Sequence, residues 1–526
     1  MTKHTKRAVF ACLAGLLVIV LAAGALLLSG QFVWAAGGLR AKNRQVLDLR
    51  GKVVSLADVQ EAQQKLPRCR VLWDTSVGGE QYSSDDVSVY VENPTQEDWT
   101  KLGLFSDLHI LEAVGVSNPE ALTQFRQCHP KCQIMGSLIL DGTEYPDDAE
   151  EIKLPAVQVD LLDDALIMLQ KVRRVTLTGD ALGYEALRTL LEAHPSISFC
   201  WREAGVSVES GAETLRLENA QVSVEQIRAW VTLMPNLQRV EMGASAQEIP
   251  ELAALFQEFP NVLFYQEVNV QNHAIVNDCQ ELELSGIQLT KEEVKALLPC
   301  FPKAERVIMC GCGLDDETMD SLNQEYENIR FVWTVRIKDV DIRTDTKWFY
   351  PFKYYTNMIV VEEDLYPLRY CVDIEAIDIG HMTQVKTMEW VRYMPNLKYL
   401  IIAECGITDL SPLEGLEHLV FLEIFTTRIT DYSPLLKCPA LEDLNLGKTY
   451  GDPAPIAKMT WLKHLWWSGI YGTYGQIYSD APNTLPEALP NTIMKFNLMT
   501  PNVDNGWRQL DNYYAMRDLM DVFYLT

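Results

Sequence analysis

Basic charge is scarce in this chain: 45 Lys and Arg stand against 72 Asp and Glu, a formal net charge of -27. A surface of that sign repels phosphate backbones, which argues against nucleic acid as a partner. Histidine is also sparse. There are eight, none followed by Glu, so the zinc-protease pair H-E-x-x-H is missing, and no G-x-S-x-G nucleophile turn occurs. Gly447-Lys448-Thr449 has the ending of a phosphate loop, but Glu442 stands where its earlier glycine belongs. The twelve cysteines lack the regular spacing of a disulfide scaffold. Cys128-His129-Pro130-Lys131-Cys132 offers soft ligands without a second pair at matching distance, which favours a structural role or a Cys128–Cys132 disulfide over zinc. These absences leave no nucleophile–base pair and no ligand cluster to name. The expectation is a non-enzyme without cofactor or metal.

A second long apolar run is missing too. The one present, Ala8–Gly30, lies in an uncharged stretch between Arg7 and Arg40. Its 23 residues span about 34 Å as a helix, enough for the hydrocarbon core of a bilayer. Lys3, Lys6 and Arg7 precede it, so residues 1–7 are expected in the cytoplasm, 8–30 as a signal anchor and the rest outside. The alternative is a secreted protein after cleavage, since Ala23-Gly24-Ala25 and Val33-Trp34-Ala35 offer small-residue sites.

At 526 residues the chain exceeds what one core usually serves, and it repeats internally. Leu397, Leu419, Leu441 and Leu462 each open the pattern LxxLxL or a close variant, at steps of 22, 22 and 21 residues. The first two are followed by Ile407–Leu413 (ITDLSPL) and Ile429–Leu435 (ITDYSPL). The alternating leucines point to a short strand facing one core, and Asp, Ser and Pro suit the turn after it. Asp409, Asp431 and Asp452 stand in register and read as turn caps rather than calcium ligands. Upstream, Pro67, Pro130, Pro195 and Pro260 recur at 63, 65 and 65 residues, each before an alternating run. Strand-like segments lie at Leu47, Val175, Leu215, Val240, Leu282 and Val307, with amphipathic helices between them. The alternating runs are expected to extend every second strand into a hairpin.

The segment Pro395–Trp467 resembles the short repeats of bacterial leucine-rich-repeat proteins of the internalin-like kind, and residues 40–345 resemble them more distantly. The consensus asparagine after the strand is replaced by Cys405, Thr427 and Thr449. The resemblance implies an α/β solenoid, with parallel strands on a concave face and helices or turns on the convex face, behind one transmembrane helix. Residues 40–345 would form divergent repeats of about 65 residues, 346–375 an aromatic-rich junction, 376–469 the 22-residue repeats and 470–526 a cap.

Such solenoids bind through the concave strand face. There the candidate ligand-binding residues are Tyr399, Ile401, Phe421, Glu423, Phe425, His464 and Trp466, an unusually aromatic set for a solvated surface. Two arrangements stay open: these residues meet a ligand, or the cap with Tyr471, Tyr474, Tyr478, Tyr513 and Tyr514 folds over them. The expected partner is a protein or peptide. Alternatives are a glycan or cell-wall polymer stacked on Trp466, or an envelope scaffold with no dedicated ligand. On the first reading, changing Phe421, Phe425 and Trp466 to Ala weakens binding while folding is kept.

Overall fold

The computed structural model describes residues 3–354, 360–467, 481–496 and 506–522, with side chains from residue 16 onward except Tyr354. Cys12, Tyr355, Ser468, Tyr471, Tyr474 and Tyr478 lie outside the described side chains. The chain divides into two compact units, 1–247 and 248–526.

The first unit opens with a helix, Lys3–Leu28. Among the described residues no helix is long and apolar enough to cross a membrane, and the side chains of this helix are described only from Leu16. Short parallel strands follow. Val46–Asp48 pairs with Arg70–Leu72, Ser88–Glu92 with Ile110–Val116, Glu151–Pro155 with Arg174–Thr178, and Thr214–Arg216 with Arg239–Glu241. Between strands run amphipathic helices whose starts are written in the sequence. Ser55 and Asp58 form a capping box ahead of Leu56–Lys65, and Ser223 accepts the Gln226 N–H ahead of Val224–Leu233.

The alternating runs form antiparallel hairpins. In the first unit Asp74–Val77 returns as Glu80–Ser83, and Ser198–Glu203 as Val206–Glu209. In the second unit Glu267–Val270 returns as His273–Val276, and Thr334–Ile337 as Val340–Arg343. Gly78-Gly79, Ala204-Gly205 and Gln271-Asn272 all have positive φ, the backbone that suits a two-residue turn to the strand twist. A buried polar side chain closes each hairpin. The backbone N–H of Trp73 donates to Ser84 Oγ, Phe199 to Ser210 Oγ, Gln266 to Asn277 Oδ1 and Trp333 to Thr344 Oγ1, at 3.0, 3.0, 3.0 and 3.1 Å. These side chains satisfy donors that the change of strand partner would otherwise leave unpaired.

In the second unit Glu281–Glu283, Arg306–Ile308 and Arg330–Val332 are parallel. A seven-stranded parallel sheet follows: Trp348–Phe349, Ala376–Asp378, Tyr399–Ile401, Phe421–Glu423, Asp443–Asn445, His464–Trp467 and Ile493–Phe496. Tyr399 pairs with Phe421 and Phe421 with Asp443, a rung every 22 residues, so the leucine-rich-repeat solenoid is read from its own register. Leu400, Leu422, Leu444 and Leu465 stack in one fully buried row. The ladder runs beyond the recognisable repeat at both ends. The aromatic junction supplies its first strand, and Ile493–Phe496 adds a rung where the pattern in the sequence is lost.

The turns hold as the residue types suggest. Asp409, Asp431 and Asp452 accept the backbone N–H of Ser411, Ser433 and Ala454, and these bonds hold the first two carboxyls below their usual range. Cys405, Thr427 and Thr449 fill the asparagine slot by donating to the carbonyls of Ile379, Ile424 and Leu446.

Asn277 tests the hairpin closures best, because it is fully buried and also donates to the Phe264 carbonyl at 2.8 Å. Asn277→Ala strands one backbone donor and one acceptor. It is expected to lower the stability of the second unit by about 2–4 kcal/mol, read as a fall in the urea midpoint of that unit.

Candidate functional site

The strand face opposite the leucine row does not meet solvent along its length. The last described segment crosses it: the turn Trp507–Gln509 leads into the helix Asp511–Leu519. Trp507, Tyr513, Met516 and Met520 pack on Ala376, Ile401, Ala403, Phe421, Phe425 and Trp466 in one buried cluster. The helix shows alternating needs: its apolar side chains reach the aromatic strand residues, while Asp511 and Asp518 stay outside that cluster. At its end Lys353 Nζ donates to the carbonyls of Met520 and Asp521 at 2.9 and 2.8 Å, placing a cation at a helix C-terminus.

The seven predicted residues therefore separate. Phe421 is fully buried, its ring 4.8 Å from that of Trp507, and Trp466 is 5.5 Å from the same indole. Ile401 and Phe425 are buried beside them, and Tyr399 sits half-buried at the cluster's edge. His464 turns aside and pairs through Nδ1 with Asp443 at 2.7 Å, where Asn512 also donates. Of the two arrangements open from the sequence, the covered one is found. Changing Phe421, Phe425 and Trp466 to Ala removes core, so any loss of binding in that variant is inseparable from a loss of folding.

Glu423 is the informative member of the set. Its side chain is 5% exposed and accepts the Trp507 indole N–H at 2.7 Å. Burial pushes its carboxyl up to about 7, against the pull of the Trp507 hydrogen bond; Asp378 raises it further, and Arg508 and Arg517 lower it. Asp378 lies one rung before Ile401. It receives Arg517 on Oδ2 at 2.8 Å and the Gly380 N–H on Oδ1 at 3.0 Å, so both its oxygens are engaged. The pair is buried on both sides, and the guanidinium also lies over the rings of Tyr350 and Tyr513, 5.4 and 5.0 Å from their centroids. Arg517 Nε has no hydrogen-bond partner among the described residues.

Between the strands and the cap these groups leave a cavity of about 240 Å³. Asp378, Glu423, Arg508 and Arg517 supply its charge, Ile401 and Phe425 part of its apolar wall, and His381 stands at an exposed position on its lining. Asp378, His381, Arg508 and Arg517 were not selected from the sequence. Asp378 sits in Ala376–Asp378, a strand whose repeat positions Ile374 and Ile377 carry isoleucine in place of leucine, and the arginines belong to a segment with no repeat at all.

Elsewhere the chemistry-bearing groups are structural. Cys128 and Cys132 are free thiols, and His129 stacks on Phe125 at 4.8 Å with Nε2 3.0 Å from the Leu102 carbonyl. Burial pushes the thiols of Cys300, Cys371, Cys405 and Cys438 up to about 12. Among the described residues no three His, Cys, Asp or Glu side chains converge on a metal-sized site.

No protein-family model matches the chain, and no curated protein matches it. Solved structures do. Internalin C2 of Listeria monocytogenes is 22% identical over 30% of this chain and 72% of its own, with a TM-score of 0.21. Internalin InlF of the same organism is 11% identical over 82% and 89%, with a TM-score of 0.20. A leucine-rich-repeat protein of Leptospira interrogans is 14% identical over 75% and 92%, with a TM-score of 0.23. At these scores the backbones do not superpose as wholes, and the assignment of the fold rests on the parallel register described above.

The raised carboxyl of Glu423 gives a signed pH dependence. Its folded pKa lies above the unfolded value, so its contribution is fully present below pH 4.5 and lost as pH rises to about 7. The loss amounts to about 3 kcal/mol at most. The stability of the natural protein minus that of Glu423→Gln, measured by urea titration of the second unit, should fall over that window and level off above it.

Proposed function

We propose that this chain is a tethered, extracytoplasmic binding protein that recognises a protein or peptide at the cavity on the concave strand face of its second unit. One observation carries the reading. A face largely covered by the protein's own C-terminal segment keeps a lined opening in which charged side chains are concentrated. A cap that served only to cover apolar surface would be better filled by hydrophobic residues, since buried charges lower stability unless they are paired. Retained charge beside aromatic walls is what a recognition site requires. Glycan stacking loses its platform, because Trp466 is 2% exposed.

The tether is the helix Lys3–Leu28. Leu16, Leu17, Val18, Ile19, Val20 and Leu21 are each well exposed along it, an apolar surface that the protein itself leaves uncovered. A bilayer covers such a surface, and Lys3, Lys6 and Arg7 favour a cytoplasmic start. No step of chemistry is assigned to the cavity.

A photo-crosslinking residue at His381, beside the cavity, should yield a discrete partner adduct on intact cells. The same residue at Tyr366, exposed but outside the cavity lining, should not. Equal adducts at both positions, or none at His381, contradict the site. Protease added outside spheroplasts should degrade everything beyond the helix while the protein stays in the membrane fraction; protection of the repeats contradicts the topology.

A further inference from the structure

The charged groups that line the cavity are unequally engaged. Asp378 is engaged on both oxygens by Arg517 and Gly380, so it has no free edge for a cation. Glu423 accepts Trp507 on Oε2 and is held half-neutral near pH 7 by its burial. His381 Nδ1 is 3.0 Å from Glu404, which partners it outside the lining. That leaves Arg508. It lines the cavity, it is partly exposed, and it makes no hydrogen bond or ion pair among the described residues. Its guanidinium therefore faces the opening with no hydrogen-bonded or ion-paired partner among the described residues, while its charge acts through space on Glu423.

The rest of the lining sets the kind of anion. Tyr350, Phe352, Ile401, Ala403, Phe425 and Tyr513 form an apolar and aromatic wall. A dianion such as a phosphate would bring its second charge towards Asp378 and Glu423, and would leave this wall unused. A monoanionic carboxylate matches the planar fork of a guanidinium and can carry an apolar body against the rings. Size limits that body. The volume of about 240 Å³ lies below the range of about 300–1,000 Å³ that holds drug-sized ligands. One amino-acid-sized group fits, and a folded domain or a long chain segment does not enter.

We infer that the cavity binds the carboxylate of an amino-acid-sized molecule, presented either as a free acid or as the terminal residue of a peptide, with Arg508 as its charge partner and the aromatic wall receiving its side chain. This rests on the reading of the cavity as a recognition site and narrows it to one chemistry. Arg517 holds the wall and the cap in place through Asp378, and Arg508 meets the ligand.

The test uses the full-length protein in detergent and two probe panels, measured by calorimetry: the free L-amino acids, and N-acetylated tripeptides ending in each residue, made as free acids and as C-terminal amides. At least one free acid should bind saturably, with its amide or Arg508→Gln weakening the interaction by about tenfold or more. Arg508→Lys should retain part of the affinity and keep the unfolding midpoint of the natural protein, because Arg508 makes no hydrogen bond or ion pair among the described residues and lysine keeps the positive charge that acts on Glu423. Binding by free amino acids alone identifies a small acid, and binding by tripeptide acids alone identifies a peptide end. Equal binding of acid and amide, indifference to Arg508→Gln, or no binding in either panel overturns the inference. If the His381 adduct persists under those results, the recognition site stands and its ligand is of another chemistry. Loss of that adduct removes the site itself.

Discussion

Trp507 packs against Phe421 and Trp466 while its indole N–H holds Glu423, and the strand face of the second unit takes its form from that contact. Short parallel rungs bury their leucine row by stacking, which leaves the opposite face free to evolve. Here that face carries rings large enough to need cover. Each such side chain contributes about 1.5–3 kcal/mol when buried, so a segment that covers Phe421, Phe425 and Trp466 together is strongly held. The carboxylate in their midst is the exception. It is tolerated because the indole satisfies one oxygen and because it can take up a proton.

Once Trp507 is seated, the course of the following helix brings Tyr513, Met516 and Arg517 over the neighbouring rungs. Arg517 then meets Asp378, 139 residues away in the chain, and the two charges satisfy each other in a site where neither would be stable alone. The cavity is what remains between this ion pair and the Glu423 carboxyl. Asp378 and Arg517 secure the cap at one side of it, and Arg508 faces its opening.

The repeats were legible because their physics is local. Leucines two apart define a strand, Asp before Ser-Pro defines the turn, and a 22-residue step defines the stacking, all without long-range information. The hairpins were legible for the same reason, as period-two runs with turn residues between. The residues of the strand face were identified, yet their exposure was not, because burial there depends on a segment about 40 to more than 100 positions further along. Nothing local in Arg508 or Arg517 distinguishes a cavity arginine from a solvated one. Asp378 was hidden differently: its rung carries isoleucines, Ile374 and Ile377, where the later ones carry leucines, and its partner Arg517 lies 139 residues away. The proposed site follows the same division, since the scaffold is periodic and the cavity is formed where the periodicity ends.

Oxidative footprinting of the intact protein by hydroxyl radicals addresses the covered face most directly. Tyr366, Tyr393 and Tyr450, each more than half exposed, set the rate for open aromatic side chains. If the cap lies on the strands, Phe421, Trp466, Trp507 and Tyr513 are oxidised far more slowly than these three, and as a group. Oxidation of Phe421 and Trp466 at the rate of the open tyrosines would show an uncovered strand face and contradict the account.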